Sequence, residues 1–169
     1  MDEAGGVPLD AETKAIERPS DHKNELRLWL RLFSCKVLIE GEIRRRLRDN
    51  FNMTLPRFDL MAQLDKAPTG MKLGELSRRL MVSNGNTTGL VERLLEQGLI
   101  DRQVAPNDGR AQLVKLTPEG RRAFRNMAAA HESWIAELFA DLTRNEIETL
   151  MRLTAKTKAS ARKATARAR

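Results

Sequence analysis
Tyrosine is absent from these 169 residues, cysteine occurs once, and aromatic side chains make up only 4% of the chain. A lone cysteine, Cys35, excludes an intrachain disulfide framework and fits a reducing compartment. The two histidines, His22 and His131, lie in widely separated segments, and nothing has metal-ligand spacing. There is no Gly-rich phosphate loop and no candidate nucleophile–base pair. An enzyme is therefore not expected, nor a cofactor or a metal. No apolar run approaches the roughly 18 residues of a membrane span. The opening residues Asp2, Glu3, Ala4, Gly5 and Gly6 do not read as a signal peptide. A cytoplasmic protein without a membrane partner is the expectation.

Hydrophobic residues reach 41%, leaning on Leu, Ala and Met, which suits a helical chain long enough to bury one core. The net charge is +7. Six positive charges come from a tail without acids: Lys156, Lys158, Arg162, Lys163, Arg167 and Arg169. The basic balance is thus largely a property of that tail. Ala/Lys/Arg tails of this kind are usually disordered or only partly helical, and are attracted to phosphates.

The densest information lies in residues 72–118. Leu73, Leu76 and Leu80 form one apolar stripe of a helix from about Lys72 to Met81, with Arg78 and Arg79 off it. Ser83-Asn84-Gly85 breaks the pattern, and Ser83 suits an N-cap. In the next helix Leu90, Val91, Leu94 and Leu95 make i, i+4 pairs, and Thr87 lies on their side. The opposite side carries Gly85, Asn86, Gly89, Glu92 and Arg93. A helical glycine costs about 1 kcal/mol relative to alanine. Two on one solvent face ask for a reason, and close approach of another backbone is one. Asn86 and Arg93 can hydrogen-bond base edges or phosphates.

Gly98 ends this helix as a C′ glycine. Leu99–Val104 suits a strand, Pro106-Asn107-Asp108-Gly109 a turn, and Gln112–Leu116 alternates as a half-buried strand does. Thr117 and Pro118 open the next helix. Asp108 and Arg110 bracket the hairpin tip, where an arginine guided by a carboxylate can enter a minor groove. Two short helices, a tight turn and a β-hairpin make a winged helix-turn-helix, which reads double-stranded DNA.

The segment GELSRRLMVSNGNTTGLVERLLEQGLI, the Asp108-Gly109-Arg110 tip and the junction VKLTPEGR resemble the MarR family of bacterial transcription regulators. The likeness runs from about Asn24 to Lys158. It implies a mainly α fold with a small β-wing, plus a helical dimerisation region built from the N- and C-terminal helices. The expected organisation is a flexible arm over 1–23, a MarR-type domain over 24–158 and a basic tail over 159–169. Within the domain the winged helix-turn-helix covers about 56–117, and dimerisation helices cover about 24–49 and 118–158. The expected DNA-facing residues are Arg78, Arg79, Ser83, Asn84, Asn86, Thr87, Thr88, Arg93, Asp108 and Arg110.

Outside the small winged domain, Ile135, Leu138, Phe139, Leu142, Ile147, Leu150, Met151 and Leu153 need a partner surface. A homodimer on a pseudo-palindromic operator is expected, its terminal helices interleaved as the resemblance implies. Thr143 and Glu146 form a capping box for the last helix.

Arg44, Arg45, Arg46 and Arg48 crowd the end of the first helix, go round most of it, and are not all expected to find partners. The segment LRLWLRLFSCKVLIEGEIRRRLRDNFNMTLPRFDLMAQL is similar to the MarR subgroup controlling breakdown of hydroxycinnamic and related aromatic acids. That likeness implies an effector, an aromatic acid or its CoA thioester, that releases a repressor from its operon. Arg44, Arg45 and Arg48 would take the phosphates, and Trp29, Phe33, Phe58, Met61 and Trp134 the acyl group. The arginines are equally a solvated, DNA-facing or dimer-facing charge run, each of the five acyl-group candidates is also a ready core residue, and His131 is a ready structural histidine. Two other readings stand beside this one. Cys35 in the first helix resembles the peroxide-sensing MarR branch, although no second cysteine can resolve a sulfenic acid. The basic tail would also serve an architectural DNA-binding protein without an effector.

Overall fold
The computed structural model describes residues 23–167, apart from Val82 and residues 106–107. The expected N-terminal arm lies almost wholly outside the described residues. Among the described residues, six helices and three strands follow in the order α1 (Lys23–Phe51), α2 (Leu55–Asp65), β1 (Met71–Lys72), α3 (Leu73–Leu80), α4 (Asn84–Glu96), β2 (Ile100–Ala105), β3 (Asp108–Leu116), α5 (Pro118–Leu138) and α6 (Arg144–Arg167). The strands form one antiparallel sheet in the order β1-β3-β2. This is the mainly helical fold with a small β-wing that the sequence predicts. Among the described residues no helix is long and apolar enough to cross a membrane, and no cluster could hold a metal ion.

The chain divides into two compact units, one up to His131 and one from Glu132 onward. The first holds the core. Leu47 of α1, Leu60, Met61 and Leu64 of α2, Leu76 of α3, Val91 and Leu94 of α4 and Val114 of β3 are all fully buried. Burial of each such side chain contributes about 1.5–3 kcal/mol. The periodicity of α4 is thus realised, its leucine side packed and its glycine side open. Strand β1 was not expected from the sequence. Its two residues pair with β3, Met71 against Val114 and Lys72 against Leu113, and displace the start of α3 to Leu73.

The junction between wing and α5 is closely knit. Gly98 has φ +68°, the left-handed conformation that favours glycine at a helix end. The Thr117 hydroxyl donates to Gly98 O (2.8 Å) and accepts from Gly120 N (2.9 Å), so it caps α5 and holds the loop at once. A Cβ on Gly120 would fall 1.8 Å from Leu99 O.

The second unit continues α5 to Leu138 and ends in α6. Thr143 and Glu146 make the expected capping box, with Thr143 N donating to the Glu146 carboxylate (2.7 Å). Helix α6 runs unbroken to Arg167, across the expected boundary at 158/159. The basic segment is therefore helical, where disorder or partial helix was the expectation. Its alanine-rich composition accounts for this.

Candidate nucleic-acid interface
Helices α3 and α4 meet through a tight turn. Met81 closes α3 in the left-handed conformation (φ 56°) with its side chain 92% exposed. Ser83 caps α4, its hydroxyl accepting from Asn86 N (3.3 Å). Inside the angle, the Ser77 hydroxyl donates to Thr87 Oγ1 (2.8 Å), and Thr87 Oγ1 donates to Ser83 O (3.1 Å). Thr87 is 0% exposed. It was expected on the DNA face, and the structure corrects this: the helical period that puts Thr87 beside Val91 and Leu94 also buries it. Its hydroxyl holds the turn shut, and its side chain meets no solvent.

The outer side of α4 presents Gly85, Asn86, Gly89, Glu92 and Arg93, all exposed. A Cβ on Gly85 or Gly89 would meet nothing within 4 Å. Packing inside the chain therefore gives no reason for glycine at either place. Thr88 is half-buried, and the Asn84 side chain lies outside the described residues. Arg78 and Arg79 are exposed on α3. Arg79 is occupied by Glu75 at 2.7 Å, and Arg78 Nε donates weakly to Gly74 O at 3.3 Å.

Two features of this face were missed in the sequence. Glu92 pairs with Arg102 of β2 at 2.5 Å, which ties α4 to the wing. Arg57 of α2 donates to Gln97 Oε1 (3.2 Å) and Asn52 O (3.1 Å). Burial pushes its guanidinium below the ordinary value, and the nearby Arg93 adds to the shift. Two guanidiniums so placed, at the C-terminal half of α4, would both gain from an anion. The contact spans 40 residues of sequence, so no local pattern signals it.

In the wing, β2 and β3 pair from Ile100 with Leu116 to Val104 with Gln112, and then the register shifts. Ala105 pairs with Asp108, so β3 begins earlier than expected and Gly109, Arg110 and Ala111 fall within the shift. Bulges increase local twist. Asp108 and Arg110 thus have described backbone at the tip, while their side chains, and Pro106 and Asn107 altogether, lie outside what is described.

Within the first unit, the candidate effector residues divide between exposed and core positions. Trp29 (60% exposed) and Phe33 (43%) stack at 6.0 Å on the outer part of α1. Phe58 and Met61 are core. The Phe58 ring packs on Phe124 at 5.5 Å and on His131 at 5.1 Å, and Met61 is fully buried. Trp134 belongs to the second unit and is half-buried. Not all four arginines were expected to find partners, and each has a carboxylate nearby. Arg44 pairs with Glu40, Arg45 with Glu42 (2.7 Å) and Asp49 (3.1 Å), and Arg46 with Glu42 (2.6 Å). Arg48 Nε reaches Asp49 at 4.0 Å. Hydrogen bonds from Arg45 and then Arg46 hold the Glu42 carboxyl down at about 2. Cys35 is exposed.

Comparison with known proteins agrees with this geometry. The sequence profile of the MarR family matches residues 51–111. The transcriptional activatory protein BadR of Rhodopseudomonas palustris is 30% identical over 139 residues, which are 79% of this chain and 78% of that protein. The structure of a MarR family transcriptional regulator from Silicibacter pomeroyi is similar at a TM-score of 0.70 and 33% identity, over 84% of this chain and 99% of that one. A mutant MarR from E. coli complexed with operator DNA gives a TM-score of 0.69 and 28% identity, over 82% and 99%.

Proposed function
This chain belongs to the MarR family and is a DNA-binding transcriptional regulator, and from that premise we propose that it represses an aromatic-acid catabolic operon as an effector-released homodimer. The exposed side of α4 would enter the major groove, with Asn86 and Arg93 on bases or phosphates. Arg110, steered by Asp108, would reach the adjacent minor groove. The observation that carries the DNA reading is the pair Gly85 and Gly89, which face open space. Glycine there is explained by a partner outside the chain, and DNA backbone fits.

The dimer is supported by apolar surface in each unit. Leu26, Leu28, Trp29 and Phe33 are exposed in the first, and Leu150, Met151 and Leu153 in the second. The effector reading rests on the resemblance of residues 26–64 to regulators of aromatic-acid breakdown. The ion pairs around Arg44, Arg45 and Arg48 shift its weight toward the free carboxylate. The phosphates of a CoA thioester would have to displace Glu40, Glu42 and Asp49, whereas a single carboxylate need share only one arginine. Release by such a ligand needs a coupling of 1–3 kcal/mol, roughly 5- to 150-fold in DNA affinity.

A panel of aromatic carboxylates and their CoA thioesters, read by thermal shift and by release from a selected duplex, tests this reading. A benzoate- or cinnamate-type ligand that raises the melting temperature and frees the duplex is the expected result. Arg44→Gln and Arg45→Gln should blunt that response and leave ligand-free DNA binding intact. Loss of DNA binding with full ligand affinity would place those arginines on the DNA side and overturn the effector site.

A further inference from the structure
Beyond Leu153, α6 carries no large apolar residue, every described side chain is exposed, and no acid follows Glu148. Lys156, Lys158, Arg162, Lys163 and Arg167 therefore have no carboxylate at i±3 or i±4 to pair with. The one acid near Arg152, Glu148, is engaged by Arg144 at 3.0 Å. The helix orders these charges. At 3.6 residues per turn, Arg152, Lys156, Lys163 and Arg167 fall within about 60° of one another, a stripe about 22 Å long. Ile147, Leu150 and Met151 lie on the opposite side, so covering that apolar side would leave the stripe facing solvent. Lys158 and Arg162 lie off the stripe.

We propose that this stripe of α6 is a second DNA contact, which grips the phosphate backbone of duplex flanking the operator core and reads no bases. Charge complementarity selects the occupant. A row of cations with no carboxylate partner among the described residues, and without aromatic or amide side chains, suits a polyanion backbone and offers nothing that distinguishes bases. The inference rests on the DNA reading above. A site held by α4 keeps flanking duplex near the same chain, so even weak phosphate contacts add to affinity through effective concentration. Alanine and threonine between the basic residues keep the helix slim enough for close approach.

The test uses the full-length dimer and a duplex that the wild type selects from a random pool, in a long form and a form trimmed to a core of roughly 20 base pairs. The variant Lys156→Ala/Lys163→Ala/Arg167→Ala keeps the helix, since alanine is the best helix former. Removing one cation from a phosphate lowers the slope of log affinity against log salt by about 0.9. Three per chain are six in the dimer, a slope change of about 5 with both flanks engaged, on the order of a thousandfold over a fourfold rise in salt. The expected result is a shallower slope on the long duplex, an unchanged slope on the short one and an unchanged base preference. The off-stripe variant Lys158→Ala/Arg162→Ala should do less than half as much. Equal slopes for wild type and variant on the long duplex overturn the proposal, as does an equal loss on both lengths or an altered base preference. Loss of binding to anionic vesicles, with duplex binding intact, overturns it in favour of a membrane contact. If the wild type selects no duplex at all, the DNA reading itself fails and this contact falls with it. Selection of a core with no length effect removes the stripe alone.

Discussion

Thr87→Val separates a base-reading threonine from one that holds the turn. The substitution exchanges the hydroxyl for a methyl of similar volume, so no cavity opens, and valine keeps the branched shape. Two hydrogen bonds disappear, from Ser77 Oγ to Thr87 Oγ1 (2.8 Å) and from Thr87 Oγ1 to Ser83 O (3.1 Å). Neither partner is orphaned. Ser83 O still accepts from Thr87 N at 3.0 Å, and Ser77 Oγ can donate to Leu73 O at 3.1 Å. At a net value of about 0.5–1.5 kcal/mol per bond, with both partners still satisfied, the loss should be about 1–2 kcal/mol. For a domain of this size that is a fall of roughly 2–8 °C in melting temperature. Ser77→Ala should cost a similar amount, and the double variant less than the sum, because the two share one bond. Urea unfolding of the four proteins gives the energies, and titration of a selected duplex under conditions where all are folded gives the affinities. Wild-type-like DNA affinity is expected for the folded Thr87→Val protein. An unchanged unfolding midpoint together with a tenfold loss of DNA affinity would refute the reasoning and put Thr87 on the DNA.

Other substitutions probe the frame around this turn. Gly120→Ala sets a methyl 1.8 Å from Leu99 O and must part α5 from the loop, straining the bond from Thr117 N to Leu99 O (3.1 Å); a loss of about 3 kcal/mol is expected in urea unfolding. Met81→Gly relieves a left-handed methionine with an exposed side chain, and should raise the unfolding free energy by up to about 1 kcal/mol. The Glu42 carboxyl is held at about 2 against an ordinary 4.5. Its stabilising contribution is thus present above pH 4.5 and lost as pH falls toward 2. Glu42→Gln should therefore melt below wild type at neutral pH and converge with it in acid, as thermal melts across that window will read.

Local chemistry was legible in the sequence. Ser83, Gly98, Thr117 and the Thr143–Glu146 box each satisfy backbone groups within a few residues, so their roles follow from spacing alone. The buried and open sides of α4 were equally plain, and the position of Thr87 beside Val91 and Leu94 places it on the buried one. The pairing of the arginines was available too, since Glu40, Glu42 and Asp49 stand three or four residues from their partners on one helix. Strand β1 was not, because two residues carry no period and gain their state only by pairing with Val114 and Leu113. Arg57 beside Arg93 and Glu92 against Arg102 are tertiary contacts of the same kind. The helical continuation to Arg167 was not legible from the tail's charge, and its alanine content is the feature that favours helix there.

The exposed side of α4 as the DNA-reading surface is tested most directly by Gly89→Gln. A Cβ there meets nothing within 4 Å inside the chain, and replacing a helical glycine should add roughly 0.5–1 kcal/mol of stability. Stability and DNA binding are therefore expected to move in opposite directions, with a melting temperature at or above wild type and at least a tenfold weaker complex with the selected duplex. A Gly89→Gln protein that binds that duplex as tightly as wild type would contradict the account.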